Sequence, residues 1–293
     1  MNSIISFENR GNWGKSSYRG NCSGHVIKEL IEHFNPKSFA DITLGSGTSK
    51  DVCESYPINF VGLDLHNGFD FTKDSLISRL GNPFDMVFSH LPYFNMIDYN
   101  KERKKHQLGG NGNDISQFSN PDEFIEASFL ALMNQREGTR KNGTYATLIG
   151  DYRKNGKFYS FQSDFIKFMP KDELISVTIK GQHNCVSDRN TYRGSFIPIN
   201  HEYLLIWKKK EKDFYQICYQ KAKELKDGIN TTWRTLIRMV MMKFDGPVAL
   251  QKIYDRVLEV APEKIKSNAN YKAKIRQSLQ LYCTHVERGI WAA

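Results

Sequence analysis

Between Ser23 and Lys209 the chain alternates helical apolar spacing with short apolar runs, and that rhythm restricts the fold more than any single motif does. Residues 23–35, SGHVIKELIEHFN, put Val26, Leu30, Ile31 and Phe34 on one helical face, with Ser23 as the expected cap. After Pro36, SFADITLGSGTS reads as a strand entering a glycine turn, KDVCESY as a short helix, and INFVGLDL as a second strand ending in Asp64. PFDMVFSHLPYF supplies a third strand, and PDEFIEASFLALMNQ a helix opened by Pro121 and two acids. GTYATLIGD reads as a strand, YSFQSDFIKFM as a helix, and ELISVTIKG and EYLLIWKKK as two further strands. Strands alternating with helices predict an α/β architecture, a mostly parallel sheet covered on both faces. Two long polar stretches, 101–120 and 181–200, break the rhythm after strands and are expected to act as lids over the edge where such sheets bind ligands.

The pattern changes after Lys208, and charge shows it. The chain carries a net charge of +9, with 18 Lys and Arg against 9 Asp and Glu in residues 208–293, while residues 1–207 balance. A solvated helical face would account for this; so concentrated a charge beside a neutral domain points rather to a polyanion, nucleic acid. Three helical patterns follow: Trp233, Leu236, Ile237 and Val240; Val248, Ile253 and Val257; then Ala273, Ile275, Leu279 and Leu281. With the strand-like end HVERGIW they predict a small winged helix-turn-helix domain. Lys272, Lys274 and Arg276 on its third helix are the expected DNA contacts; a dimerising or structural helical tail is the competing reading. The expected boundaries are 1–210 for the first domain, 211–228 for a linker and 229–293 for the second.

No stretch approaches the roughly 20 apolar residues a bilayer demands, and MNSIISFENRGNWGK lacks a signal pattern, so a cytoplasmic location without membrane contact is expected. The five cysteines (22, 53, 185, 218 and 283) are scattered and never form a CxxC pair, which argues against a disulfide framework or a zinc site. No metal is expected, and oligomeric state is left open.

Chemistry concentrates at three strand ends. Asp41 is followed by Gly45-Ser46-Gly47-Thr48, a turn where bare backbone can approach a ligand, and a helix starting near Ser49 would aim N–H groups at a carboxylate or phosphate. The turn lacks both the GxGxxG spacing of a dinucleotide site and the GK[ST] of a P-loop. Asp64 stands where an acid accepts hydrogen bonds from ribose hydroxyls, or serves as a helix cap. With Asp70-Phe71 further on, the set suits an adenosine-bearing ligand.

In this order the motifs resemble those of the DNA amino-methyltransferases, which use S-adenosylmethionine to methylate adenine N6 or cytosine N4. DITLGSGTS matches the family's D-P-F-x-G-S-G-T turn, and HLPY (90–93) sits where its (D/N/S)-P-P-(Y/F) tetrapeptide belongs. WGKSSYRGNCSGHVIKELIEHF looks like its N-terminal cofactor segment and HEYLLIWKK (201–209) like its late His-Glu strand, so the resemblance covers about residues 12–209. It implies a Rossmann-like methyltransferase domain, S-adenosyl-L-methionine as cofactor and double-stranded DNA as partner, with the target base flipped out. Carried over residue by residue, it implies that Asp41, Gly45, Gly47 and Thr48 hold the methionine end, with Ser46 in the same turn. Asp64 would take the ribose and Asp70 with Phe71 the adenine, while Lys15 and Ser16 are further cofactor candidates. His90, Leu91, Pro92, Tyr93 and Phe94 would form the catalytic segment.

The resemblance implies that the residue at position 90 and the next carbonyl accept the amine hydrogens, and that Tyr93, supported by Phe94, stacks on the base, worth about 1–3 kcal/mol. The chain departs from the pattern by placing His90 and Leu91 where the family has Asp, Asn or Ser and a first proline. Neutral imidazole keeps one acceptor nitrogen and protonated imidazole none, so activity should fall at acid pH. Cytosine N4, RNA as the polymer, and a degenerate DNA-binding protein are the alternatives.

Overall fold

Helix α1 (Gly24–Phe34) forms because Val26, Ile27, Leu30 and Ile31 recur at helical spacing and all are buried. It ends at Asn35, whose left-handed backbone (φ 47°) lets its N–H close on the Ile31 carbonyl at 2.8 Å. Ser23 occupies the cap position, but its hydroxyl donates to the Arg10 carbonyl at 3.4 Å rather than to the helix. The computed structural model describes residues 1–110, 112–183, 185, 195–211, 232–266 and 268–293. They form two compact units, residues 1–72 with 80–210 and residues 73–79 with 211–293. Apart from Glu211 the expected linker lies outside the described residues, as does the middle of the expected lid at 181–200.

The first unit contains β1 (Ile4–Ser6), α1, β2 (Ser38–Asp41), α2 (Thr48–Cys53) and β3 (Asn59–Gly62). After α3 (Leu76–Leu80), which straddles the boundary between units, come β4 (Phe84–His90), α4 (Tyr99–Lys105), α5 (Pro121–Gly138) and β5 (Thr139–Ile149). A hairpin of β6 (Tyr152–Lys154) and β7 (Lys157–Tyr159), α6 (Phe161–Phe168), β8 (Leu174–Gly181) and β9 (His201–Lys208) complete it. Among the described residues the main sheet has the order β1-β8-β9-β5-β4-β2-β3. All neighbours are parallel except those of β9, which runs against β5 and β8. This is the expected α/β, Rossmann-like class with a mostly parallel sheet. Strand direction leaves no trace in side-chain alternation, which is why β9 could not be singled out beforehand. β2 lies between β3 and β4, so the connections diverge there and open a crevice beyond the strand ends.

Strands buried on both faces read as continuous apolar runs, and β4 is buried from Phe84 through Ser89. Phe39, Met86, Phe88, Leu148 and Ile206 pack with the apolar face of α1. Arg136 of α5, fully buried, makes paired bonds to Glu173 (2.8 and 2.6 Å), which also accepts from the Tyr145 hydroxyl at 2.6 Å. Glu173→Ala should remove the paired carboxylate from that buried guanidinium, which keeps Glu137 at 3.2 Å and the Lys210 carbonyl, and cost about 3–5 kcal/mol in urea unfolding. A loss below 1 kcal/mol would show that the pair does not anchor α5 to the segment before β8. None of the described helices is long and apolar enough to cross a membrane.

The second unit holds α7 (Thr232–Met241), β10 (Val248–Ala249), α8 (Leu250–Val260), α9 (Pro262–Lys266) and α10 (Tyr271–Tyr282), then β11 (Thr284–Glu287) and β12 (Ile290–Ala292). Its sheet runs β10-β12-β11, all antiparallel, with β11 and β12 turning at Arg288-Gly289. Leu236, Ile237, Ile253, Val257, Ile275 and Leu279 form the buried seam. Two positions differ from expectation. Ala273 is exposed, as is Leu281 at 63 %, because the buried side of α10 is set by Ile275, Ser278 and Leu279. The apolar end is a hairpin rather than one strand, and helix α9 had no apolar period to announce it.

Candidate functional site at the sheet edge

A cavity open to solvent lies beyond the ends of β2 and β4. Its base is the turn after β2. Gly45 (φ 53°) and Gly47 (φ 92°) take left-handed backbone that a residue with a Cβ adopts only at a cost, and Gly47 then caps α2. The Gly45 N–H donates to Asp64 Oδ2 at 2.9 Å, tying the turn to the next strand end. Ser46 and Thr48 line the cavity; Gly47 does not. The N-terminal segment lies along this turn, with Gly14 N–H donating to Asp51 at 2.7 Å and Lys15 N–H to the Ser46 hydroxyl at 3.0 Å. The Lys15 and Ser16 side chains themselves are exposed and line no part of the cavity.

Asp41 is 4 % exposed, with Oδ1 accepting from the Thr43 N–H and hydroxyl (2.8 and 3.1 Å) and Oδ2 accepting from the Ser49 hydroxyl. Burial pushes its carboxyl up to about 6 despite these donors. Asp64 has the opposite balance: burial raises it, but His66 and the Gly45 N–H hold it below the ordinary carboxylate range. Each carboxylate oxygen can take more than one donor, so ionised Asp64 still has capacity for a hydroxyl ligand. Phe71, Leu65 and Ile115 give the cavity apolar surface. Asp70 is placed otherwise than expected. It does not line the cavity, and its carboxylate accepts from Thr72 (3.0 and 2.6 Å) and from Asn113 N–H (2.7 Å).

At the exit of β4, the His90 N–H donates to the Thr43 hydroxyl at 2.7 Å, which joins the third strand end to the glycine turn. His90 Nε2 lies 2.9 Å from the Tyr93 hydroxyl, which donates to Glu202 Oε1 at 2.5 Å; Lys180 Nζ donates to Glu202 Oε2 at 2.6 Å. Burial lowers His90 to about 4 against the pull of Glu202. Burial would raise Glu202, but Lys180, aided by the Tyr93 hydroxyl, holds it below the ordinary range. His90 and Pro92 line the cavity, whereas Leu91 (1 % exposed) and Tyr93 do not.

The expected stacking rings are therefore repositioned. Phe94 takes a left-handed backbone (φ 55°) and is buried among Phe124, Tyr159 and Phe161, where it cannot reach a base. The Tyr93 ring sits so close to Gly150 that a Cβ there would lie 2.5 Å from it, and its hydroxyl is committed to Glu202. The rings on the cavity wall are Tyr18, Phe71, Phe88 and Tyr99.

Several wall residues escaped sequence reasoning. Tyr18, Asn21 and Cys22 lie in the N-terminal stretch likened to a cofactor segment but were not singled out there; Arg103 and Asp114 come from the stretch expected to be a lid, and Tyr99 from just before it. Arg103 pairs with Asp114 at 2.9 Å, both nearly buried, and Arg19 N–H donates to Glu102 at 3.1 Å. Residues 99–117 thus form part of the wall itself. Opposite charges eleven residues apart were the one available signal. In the second unit, Lys272 lies over the Tyr254 ring at 5.4 Å and Arg276 donates to its hydroxyl at 3.1 Å, one turn apart on α10. Lys274 projects from a different side and meets Gln277 at 3.4 Å, so the three expected DNA contacts do not form a single stripe.

No family model and no curated protein matches the chain. Solved structures similar to it include a protein of Listeria monocytogenes assigned to the class I S-adenosylmethionine-dependent methyltransferases, at 15 % identity and a TM-score of 0.37 over 71 % of this chain and 64 % of that one. An rRNA methylase of Streptococcus thermophilus aligns at 10 % identity and a TM-score of 0.33, over 64 % of this chain and 96 % of that one. The N-methyltransferase NodS of Bradyrhizobium japonicum, solved with S-adenosyl-L-homocysteine, aligns at 8 % identity and a TM-score of 0.34 over 67 % and 90 %. The chain thus spans less than two thirds of the length of the Listeria protein.

Proposed function

We propose that the first unit is an S-adenosylmethionine-dependent methyltransferase acting on the N6 amine of adenine in DNA, with the second unit a winged helix-turn-helix that grips the duplex. The observation that carries this reading is the meeting of three sequence motifs on one cavity: the glycine turn, Asp64 and His90. Ionised Asp64 would take ribose hydroxyls, Leu65, Phe71 and Ile115 the flat adenine, and Asp41 with the glycine turn the methionine end. When bound, the cofactor supplies a methyl group activated on a sulfonium: the amine's lone pair forms the N–C bond, the C–S pair stays on sulfur, and the surplus amine proton leaves to water.

The chain's own residues supply alignment. Adenine's amine is a poor nucleophile because its lone pair is delocalised into the ring. A neutral His90 accepting one amine hydrogen draws that pair toward nitrogen. The base must leave the duplex stack, at a cost of a few kcal/mol, and Tyr18 and Tyr99 replace Tyr93 and Phe94 as the rings available to receive it.

The second unit supports the DNA reading through its order of helices and terminal hairpin and its excess of positive charge. Lys272→Ala with Arg276→Ala, which share one side of α10, should weaken DNA binding at every sequence and reduce its salt slope by about 2. An unchanged slope would remove α10 from the interface.

The deciding experiment incubates the full chain with labelled S-adenosylmethionine and mixed-sequence DNA, then identifies the modified nucleoside by mass. N6-methyladenine supports the proposal and N4-methylcytosine its nearest alternative. DNA binding without methylation would sink the enzyme reading, and label appearing only in RNA would replace the polymer.

A further inference from the structure

The segment leading out of β4 leaves a question open: His90 has two ring nitrogens, and only the unprotonated one can accept an amine hydrogen. Which one that is follows from three side chains to which sequence reasoning gave no role at the site or a different one. Lys180 on β8 and Glu202 on β9 sit side by side in the antiparallel ladder, where Lys180 pairs with Glu202 in register. Their charges meet at 2.6 Å, with side chains 12 % and 8 % exposed. A carboxylate held ionised by a neighbouring ammonium can only accept hydrogen bonds. The Tyr93 hydroxyl, 2.5 Å from Glu202 Oε1, must therefore spend its single proton there.

The Tyr93 oxygen is then left as an acceptor toward His90, whose Nε2 lies 2.9 Å away. Two lone pairs cannot face each other at that distance, so Nε2 must carry a proton. Burial keeps the ring neutral, which leaves Nδ1 without one. Among the described residues no group hydrogen-bonds Nδ1, and His90 lines the cavity.

We propose that Glu202, paired with Lys180, is a positioning residue that acts through Tyr93 to hold His90 as the Nε2–H tautomer, keeping Nδ1 as the acceptor for the target amine. Its consequence for catalysis rests on the methyltransferase reading; the tautomer itself does not. The relay also gives Tyr93 a task other than stacking: its ring spans the distance between β9 and the β4 exit, and Gly150 leaves room for it. A carboxamide at 202 would lift the restriction. Its NH₂ could donate to Tyr93, whose proton could then turn toward His90 and allow the Nδ1–H form.

The test is nitrogen NMR of the ¹⁵N-histidine-labelled full chain without ligand, with His90 assigned by its loss in a His90→Gln protein. A protonated Nε2 and a bare Nδ1 at pH 7 are expected in the native protein, and a mixture of tautomers in Glu202→Gln and in Tyr93→Phe. Circular dichroism checks that each variant is folded, and either variant alone tests the relay. An Nδ1–H or doubly protonated native ring would overturn the proposal, and so would a ring left purely Nε2–H in both folded variants. Activity gives a second readout: Glu202→Gln should lower kcat by about tenfold or more while leaving the KM for S-adenosylmethionine within about twofold. If the tautomers behave as expected and native protein transfers no methyl group to any nucleic acid, the function falls and the positioning role stands.

Discussion

His90→Ala is expected to lower methyl transfer by about 10²–10⁴-fold while leaving S-adenosylmethionine affinity nearly unchanged. His90 lines the cavity where the amine would arrive; its ring bonds to Tyr93, and its link to Thr43 runs through the backbone N–H, which alanine keeps. The loss should therefore appear in kcat with DNA at saturation, with cofactor binding by calorimetry as the control. Alanine also leaves the Tyr93–Glu202 bond in place, so the fold should survive. A variant that methylates at the native rate would end the acceptor role. The pH profile refines the expectation drawn from sequence. Burial moves His90 to about 4, so the imidazole stays an acceptor through the mildly acid range and imposes no loss until pH approaches that value.

Asp41→Asn should do two opposite things at once. Burial raises this carboxyl from its ordinary 3.8 to about 6, a difference worth about 3 kcal/mol at about 1.4 kcal/mol per unit. The sign follows from proton binding. The folded chain holds the proton more tightly than the unfolded one, so the penalty is absent below pH 3.8, grows as pH rises toward 6 and is complete above it. Removing the charge should therefore raise Tm by several degrees at pH 8 and leave it unchanged near pH 4, since asparagine can still accept from Thr43 and donate to Ser49. Cofactor affinity should fall by about 10–100-fold, the usual worth of one charge-assisted bond to an ammonium. For the same reason native cofactor binding should weaken as pH drops through about 6. A variant that binds S-adenosylmethionine like the native chain would remove Asp41 from the methionine end. One destabilised at pH 8 would show that its three hydrogen bonds outweigh the cost of burying its charge.

Much of the scaffold was legible because it rests on local periodicity. The apolar face of α1 and the glycine turn after β2 depend on nearest neighbours and φ preferences that sequence states directly. The direction of β9, the edge strand β1 and the β6–β7 hairpin were not legible: three-residue strands carry no period, and alternation is the same in either direction. The site divides along the same line. Asp64, Gly45 and His90, which meet on one cavity, could be singled out because each stands at or shortly after the end of a recognisable strand. Asp70 and Phe94 were given the wrong neighbours because their orientation depends on Asn113 and on a packed aromatic cluster distant in sequence.

By itself, then, the sequence determined the alternating architecture, the basic helical end and the three strand ends from which chemistry could be built. The tertiary structure alone decided which atoms face one another. Glu202 lies 109 residues from Tyr93 and Lys180 lies on another strand, yet sheet register brings them into one hydrogen-bonded chain with His90. Proton positions along such a chain depend on long-range geometry, because a donor can be assigned only when the acceptor opposite it is known.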